Sequence, residues 1–442
     1  MASPPTAKPD PGAGSLEARM KRERNPVLRF FILLGPGLIT GASDDDPSGI
    51  GTYSQAGASL GYATLWMAWV TFPLMAAVQY ICAKVGLVTG RGLAGVLREH
   101  YPKILLYPVV FLLLAANTIN AGVDVGAIAA GLNLLIPIPI VVFVPIVVVL
   151  LLALQIWGSY RLIARTFKWL TLALFAYIAS SFCSHPDLYA LLQGTFTPTI
   201  RFDATFLATL VGILGTTISP YLFFWQASQE VEEKKTLHRK RLWRRRGATD
   251  NELSYAAWDV NIGMLFSNVV MYFIILASAA TLFRAGRTDI QTAADAAEAL
   301  RPLAGNAAYL LMTLGLVGSG VLAVPVLTGS SAYAVCEAFG WKHGLNKKVR
   351  DAKWFYAFII GATVVGALIN YVGVQPVTAL FWTAILNGFL APPLLVVIML
   401  ISNNKAVMGK RVNSLSINVL GWATTAAMFA AAVGLVISWV YG

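Results

Sequence analysis

The stretch GPGLITGASDDDPSGIGTYSQAGASLGY, running from Gly35 to Tyr62, decides how this chain folds. Three adjacent carboxylates, Asp44, Asp45 and Asp46, stand in the middle of an apolar run, and Pro47, Ser48 and Gly49 follow at once. Each carboxylate at the centre of a bilayer costs about 2.5–3.5 kcal/mol even on the lenient insertion scale. Pro47 removes a helix donor, and Gly49 weakens the helix further. A plain anchor helix would not retain such a sequence. A boundary loop between two short helices fails on length, because the run on either side of Asp46 is too short to span alone. The economical reading is an unwound stretch that lines a wet cavity, with freed carbonyls and carboxylates aimed at a solute.

Composition sets the surroundings of that stretch. The 442 residues are 57% hydrophobic and 12% charged, roughly half the charged fraction of a soluble domain. Apolar runs recur near Val27–Leu60, Ala63–Thr89, Ile104–Ile136, Val141–Trp157 and Phe167–Cys183. They continue near Thr205–Gln229, Tyr255–Phe283, Ala307–Phe339, Phe355–Tyr371, Val377–Ile401 and Ile417–Tyr441. The expected fold is an all-α polytopic membrane protein of about eleven transmembrane helices.

The formal charge of +12 points to topology and excludes a nucleic-acid role. Basic residues cluster in alternate connections: Lys21, Arg22, Arg24 and Arg29; Arg91, Arg98 and Lys103; Arg161, Arg165 and Lys168. The pattern continues with the run from Lys234 to Arg246, then Lys342 to Arg350, then Lys405 to Arg411. Connections near Pro137, His185 and Gly373 are almost free of them. This alternation implies a cytoplasmic-membrane protein with its N-terminus inside and C-terminus outside. The dense run after Glu230 reads as a cytoplasmic anchor against anionic lipid. Residues 1–25 read as a disordered cytoplasmic tail, without the apolar core of a secretory signal. Cys82, Cys183 and Cys336 lack paired spacing, so they indicate neither disulfide nor thiolate metal site. No nucleophile elbow, P-loop or His–Glu metal motif argues for an enzyme.

A second interruption lies in LVGILGTTISPYLFFWQASQE, Leu210–Glu230, where Gly215 and Pro220 flank Thr216, Thr217 and Ser219. A proline kink with hydroxyl back-bonding occurs in ordinary membrane helices. Position favours a site: five spans separate the two breaks, as an inverted five-plus-five repeat would place them. The expected organisation is a transporter core over 26–402, with repeats near 26–184 and 203–402. Residues 403–442 then form a connection and the eleventh helix.

At these residues the chain resembles the Nramp family of metal-ion transporters. Gly35-Pro36-Gly37, Asp46-Pro47, Gln55-Ala56-Gly57-Ala58, Gly61-Tyr62, Thr89-Gly90 and Gly131–Leu135 match its motifs. The resemblance implies a LeuT-like fold with helices 1 and 6 broken. It places the cation at Asp46, Gly49, Thr216 and Ser219. Asp45, Asp124, Tyr221 and Gln226 are expected to line the path or support the site; Asn387 joins them on its own polarity in the tenth span, since the family's glutamine aligns with Leu380.

The departures fall where the family binds metal. Its asparagine is Gly49, its methionine Ser219, its histidines Tyr221 and Gln226, and its acidic pair Ala121 and Asp124. Methionine sulfur suits transition metals, whereas Mg²⁺ prefers one or two carboxylates with retained waters. The expectation is a Mg²⁺ importer of the Nramp-related magnesium branch that also passes Mn²⁺. It needs no resident cofactor; its partners are the divalent ion and the bilayer. His100, His185, His238 and His343 fall in connections, and the ninth span carries no Arg or acid, so proton coupling is not expected. Asp124 is either a proton carrier or a hydrogen-bonded tie between the third and first helices.

The alternatives are a proton-coupled Mn²⁺ or Fe²⁺ transporter and an amino-acid symporter, whose substrate carboxylate three aspartates would repel. Among other polar residues, Asp44 is expected to turn outward, and Asp203 and Glu230 to sit at the interface. Asp259 with Asn261, near the start of the seventh span, is expected to serve structural capping rather than function, and Gly315, Gly318 and Gly320 to allow close packing.

Overall fold

The computed structural model describes residues 35–158, 174–237, 239 and 241–441. The tail 1–25 and the basic residues Arg29, Arg161, Arg165 and Lys168 lie outside them. The fold is all-helical. Its first elements are α1 (Pro36–Asp44), α2 (Pro47–Leu60), α3 (Met67–Thr89), α4 (Leu93–His100) and α5 (Lys103–Leu135). They are followed by α6 (Ile140–Trp157), α7 (Phe175–Cys183), α8 (Leu188–Phe196), α9 (Ala204–Thr217) and α10 (Pro220–Thr236). The chain ends with α11 (Asp250–Ser278), α12 (Ala308–Phe339), α13 (Lys353–Ala367), α14 (Pro376–Asn403) and α15 (Leu415–Tyr441). Among the described residues, nine helices are long and apolar enough to cross a membrane. The broken α1–α2 pair corresponds to the first expected span; of the fifth, Phe167–Cys183, only the part from residue 174 is described, and it contains α7.

Both expected breaks are present. α1 stops at Asp44 and α2 restarts at Pro47, while α9 stops at Thr217 and α10 restarts at Pro220. Proline at the first helical position has no donor to lose and a preset φ, so each restart is local sequence chemistry.

Small residues let the backbones meet around these breaks. A Cβ on Gly41 would strike the Gly263 backbone of α11, and one on Gly215 would strike Ala384 and Gly388 of α14. A Cβ on Gly320 would fall 3.3 Å from Pro47 Cγ and 2.6 Å from Ile128 Cγ1, so α12 rides directly over the first break. Gly320 is a packing position, as expected.

The basic run after α10 is more than a surface anchor. Lys234 is buried and its Nζ donates to the carbonyls of Leu87 (2.8 Å) and Gly247 (2.7 Å). Arg245 donates to Gly90 O at 2.7 Å, Arg246 pairs with Glu99 and Arg239 with Glu252. Lys234 and Arg245 thus close the carbonyl end of α3, where C-terminal orphans and the helix dipole favour positive charge. α11 begins at Asp250, five residues before the hydropathic run, because Thr249 and Glu252 form a capping box.

Candidate functional site

Four buried carboxylates define the centre. Asp44, Asp45, Asp46 and Asp124 are each at most 1% exposed. They lie within electrostatic reach of one another, and among the described residues no cationic side chain balances them.

Asp46 sits at the N-cap of α2. Its Oδ1 accepts from the Gly49 N–H at 2.7 Å and the Ser48 hydroxyl at 2.6 Å. Asx capping of this kind fixes the carboxylate at the positive end of the half-helix. The Tyr221 hydroxyl lies between the Ser43 carbonyl, 3.0 Å away, and Asp46 Oδ2, 3.2 Å away. Tyr221 therefore braces the end of α1 and the start of α2 from α10. A Cβ on Gly49 would sit 3.4 Å from both Asp44 O and Thr216 Oγ1 and 3.2 Å from the Tyr53 ring, so glycine keeps this junction open.

The second break meets the first through hydroxyls. Ser48 Oγ and Thr216 Oγ1 are 3.5 Å apart. Ser219 turns back on its own chain, donating toward Gly215 O at 2.8 Å and Thr216 O at 2.6 Å. Its proton is used there, which leaves the oxygen as an acceptor.

The other aspartates of the triplet face away from Asp46. The single hydroxyl of Ser267 on α11 lies 2.5 Å from Asp44 Oδ2 and 3.1 Å from Asp45 Oδ1. Asp44 Oδ1 and Asp45 Oδ2 have no hydrogen-bond partner, and no side chain donates to either oxygen of Asp124. The expectation that Asp44 turns outward is wrong: α11 packs against α1 through Gly41 and Gly263, and encloses that side chain.

The remaining residues are arranged on either side. Gln226 Oε1 accepts from Thr40 at 2.6 Å, and its Nε2 donates to Glu230 at 2.9 Å. Glu230 is buried and engaged, on the same face of α10 one turn beyond Gln226. Asn387 of α14 accepts from Asn120 of α5 at 2.9 Å. Asp203 remains exposed and caps α9 through the Phe206 N–H at 2.8 Å.

Asp259 is a cap, though for another helix. Its carboxylate accepts from the N–H groups of Gly35 (2.8 Å), Gly37 (2.6 Å) and Leu38 (3.1 Å) at the start of α1. The Gly-Pro-Gly motif exists for this contact: a Cβ on Gly37 would meet Val260 N at 2.6 Å. Sequence reasoning missed Ser267, Thr40 and Asn120. The asparagine was visible as a polar residue in an apolar span; Ser267 and Thr40 carried no such signal.

Among the described residues no three His, Cys, Asp or Glu side chains converge as a preformed ligand group. Among the described residues, the side chains gathered at the break between α1 and α2 present oxygen: the Asp46 carboxylate, the hydroxyls of Ser48 and Thr216, and the Tyr221 phenol.

Comparison with known proteins agrees with this architecture. A divalent metal cation transporter, MntH, of Klebsiella pneumoniae is 29% identical over 405 residues, which are 89% of this chain and 91% of that protein. The crystal structure of an Eremococcus coleocola manganese transporter superposes with a TM-score of 0.69 at 22% identity, covering 94% of this chain and 88% of that one. The inward-facing conformation of Mhp1 superposes with a TM-score of 0.54 at 14% identity, over 92% and 91% of the two chains. The model of the natural resistance-associated macrophage protein-like family matches residues 37–438, so the chain belongs to the Nramp family of membrane transporters.

Proposed function

We propose that this protein imports a divalent metal cation by alternating access, with Mg²⁺ as its cargo and Mn²⁺ as a second substrate. One observation carries the proposal: four buried carboxylates without a counter-cation among the described residues. Buried charges are tolerated only when paired or bound to metal. A divalent ion beside Asp46 supplies two of the missing positive charges, where Asp46 lies within reach of the other three carboxylates. The names of the relatives, a divalent metal cation transporter and a manganese transporter, agree with such a cargo.

The chemistry of the gathered groups supports Mg²⁺. Oxygen donors without sulfur or imidazole match a hard cation, and Mg²⁺ and Mn²⁺ share octahedral oxygen preference. Ser219 and Tyr221 stand where the family has softer ligands. In this reading Asp46 contacts the ion or its inner waters, while Thr216, Ser219 and the Gly49 junction hold its hydration shell. The halves near 26–184 and 203–402 move against one another around it, with the basic end of the molecule facing the cytoplasm.

Transport is downhill in this reading, because no intramembrane histidine or arginine is available to relay protons. One feature favours the rival, a proton-coupled Mn²⁺ transporter: Asp124 lies beside Asp46, and no side chain donates to either of its oxygens. Vesicle-interior pH during Mg²⁺ entry separates the two, since acidification in step with uptake would establish coupling.

The test of the site is Asp46→Ala in proteoliposomes, with Mg²⁺ and Mn²⁺ uptake measured side by side. Both rates are expected to fall about 100-fold, the loss of roughly 2.7 kcal/mol of cation binding. Unchanged uptake of either ion would move the site elsewhere.

A further inference from the structure

Two polar lines lead from Asp46 toward the basic end of the molecule. The first follows α10, where Gln226, Thr40 and Glu230 are bonded to one another. The second follows α5. Asn117, Asn120 and Asp124 are spaced i, i+3 and i+7, so they share one helix face, and all are at most 1% exposed. Asn117 donates to Leu327 O at 3.2 Å and to Ser331 Oγ at 3.0 Å, and Asn120 donates to Asn387.

What this second line leaves unsatisfied has a bias. Asp124, to which no side chain donates, Asn120 Oδ1 and Asn117 Oδ1 offer acceptors here, against a single orphaned donor, Asn387 Nδ2. Turning over both amides of the Asn120–Asn387 pair exchanges which atoms are orphaned and keeps the ratio. Buried polar groups are met by water or ligand. Plain water offers donors and acceptors alike. The outer face of a hydrated cation offers donors only, because each water turns its oxygen toward the metal.

We propose that Asp124, Asn120, Asn117 and Asn387 form a second subsite, for a hydrated divalent cation leaving Asp46 toward the Lys103 end of α5. The inference rests on the transport reading above and adds a second station to it. Contact is through the cation's waters, which donate to the amide oxygens and the Asp124 carboxylate. The subsite forms as α14 and α5 part, and the separation exchanges the Asn120–Asn387 bond for bonds to the hydration shell. Asp124 then draws the ion off Asp46, and the amides carry it past the centre of the membrane.

Mn²⁺ serves as the probe. Crystals of the full chain at saturating Mn²⁺ are expected to show two anomalous peaks, one at Asp46 and one among Asp124, Asn120 and Asn387. A peak at Asp46 alone would overturn the subsite and leave the transport reading standing. No peak at Asp46 would count against the transport reading and the subsite with it. In proteoliposomes, the double variant Asn120→Leu with Asn387→Leu is expected to slow maximal Mn²⁺ uptake about tenfold at unchanged half-saturation. An equal rate with correct folding would also overturn the subsite; if the variant does not fold, the wild-type map decides.

Discussion

At Asp45–Asp46 the break between α1 and α2 is held open by charge, whereas at Ile218–Ser219 the break between α9 and α10 is closed by its own backbone. The first break gathers three carboxylates that share few donors, chiefly Ser48, Gly49 and Ser267. In the second, Ser219 bonds to Gly215 O and Thr216 O, and Thr217 bonds to Ile213 O at 2.8 Å. Two interruptions at corresponding positions of a repeat therefore have different electrostatic characters. In the proposed function the first supplies attraction for a cation, and the second supplies a neutral oxygen wall that decides how much of the ion's water must be removed.

That contrast can be strained from the first side through Asp259. Its carboxylate holds three N–H groups at the head of α1, and hydrogen bonds to charged groups contribute roughly 1.5–3 kcal/mol each when taken singly. Because the three act together, Asp259→Ala is expected to cost about 3–4 kcal/mol in all, read as a lowered thermal midpoint in detergent with Mg²⁺ uptake reduced in parallel. A stable variant with normal uptake would mean that α1 needs no cap from α11.

The second side is tested by restoring softness. Ser219→Met places a thioether at the neutral break, and it should raise preference for Cd²⁺ over Mg²⁺ by about tenfold, near 1.4 kcal/mol. Competition uptake in proteoliposomes reads the ratio directly. An unchanged ratio would show that position 219 does not face the ion, and that the difference between the breaks has no bearing on selectivity.

Much of the fold was legible because hydropathy and helix punctuation are local. The apolar runs marked the spans, and Asp46-Pro47 and Ser219-Pro220 marked the restarts. Partnerships across the chain were not. Nothing near Asp259 in sequence says that its carboxylate caps a helix more than two hundred residues earlier, as the Gly35 contact shows. Asp44 was misjudged for the same reason: a charged residue in a membrane helix suggests an escape to water, and only the packing of α11 shows that it has none. Glu230 followed a third pattern, in which a residue near the end of an apolar run is drawn inward by Gln226. The chemistry of the centre was more accessible, since the loss of sulfur and imidazole can be read residue by residue once the breaks are aligned.

The most direct test of the central claim is wild-type Mg²⁺ uptake into proteoliposomes with Cd²⁺ as competitor. An oxygen site that keeps the ion's water predicts saturable Mg²⁺ entry, with Cd²⁺ preferred by no more than about tenfold. Absence of Mg²⁺ entry alongside rapid Cd²⁺ entry would contradict it.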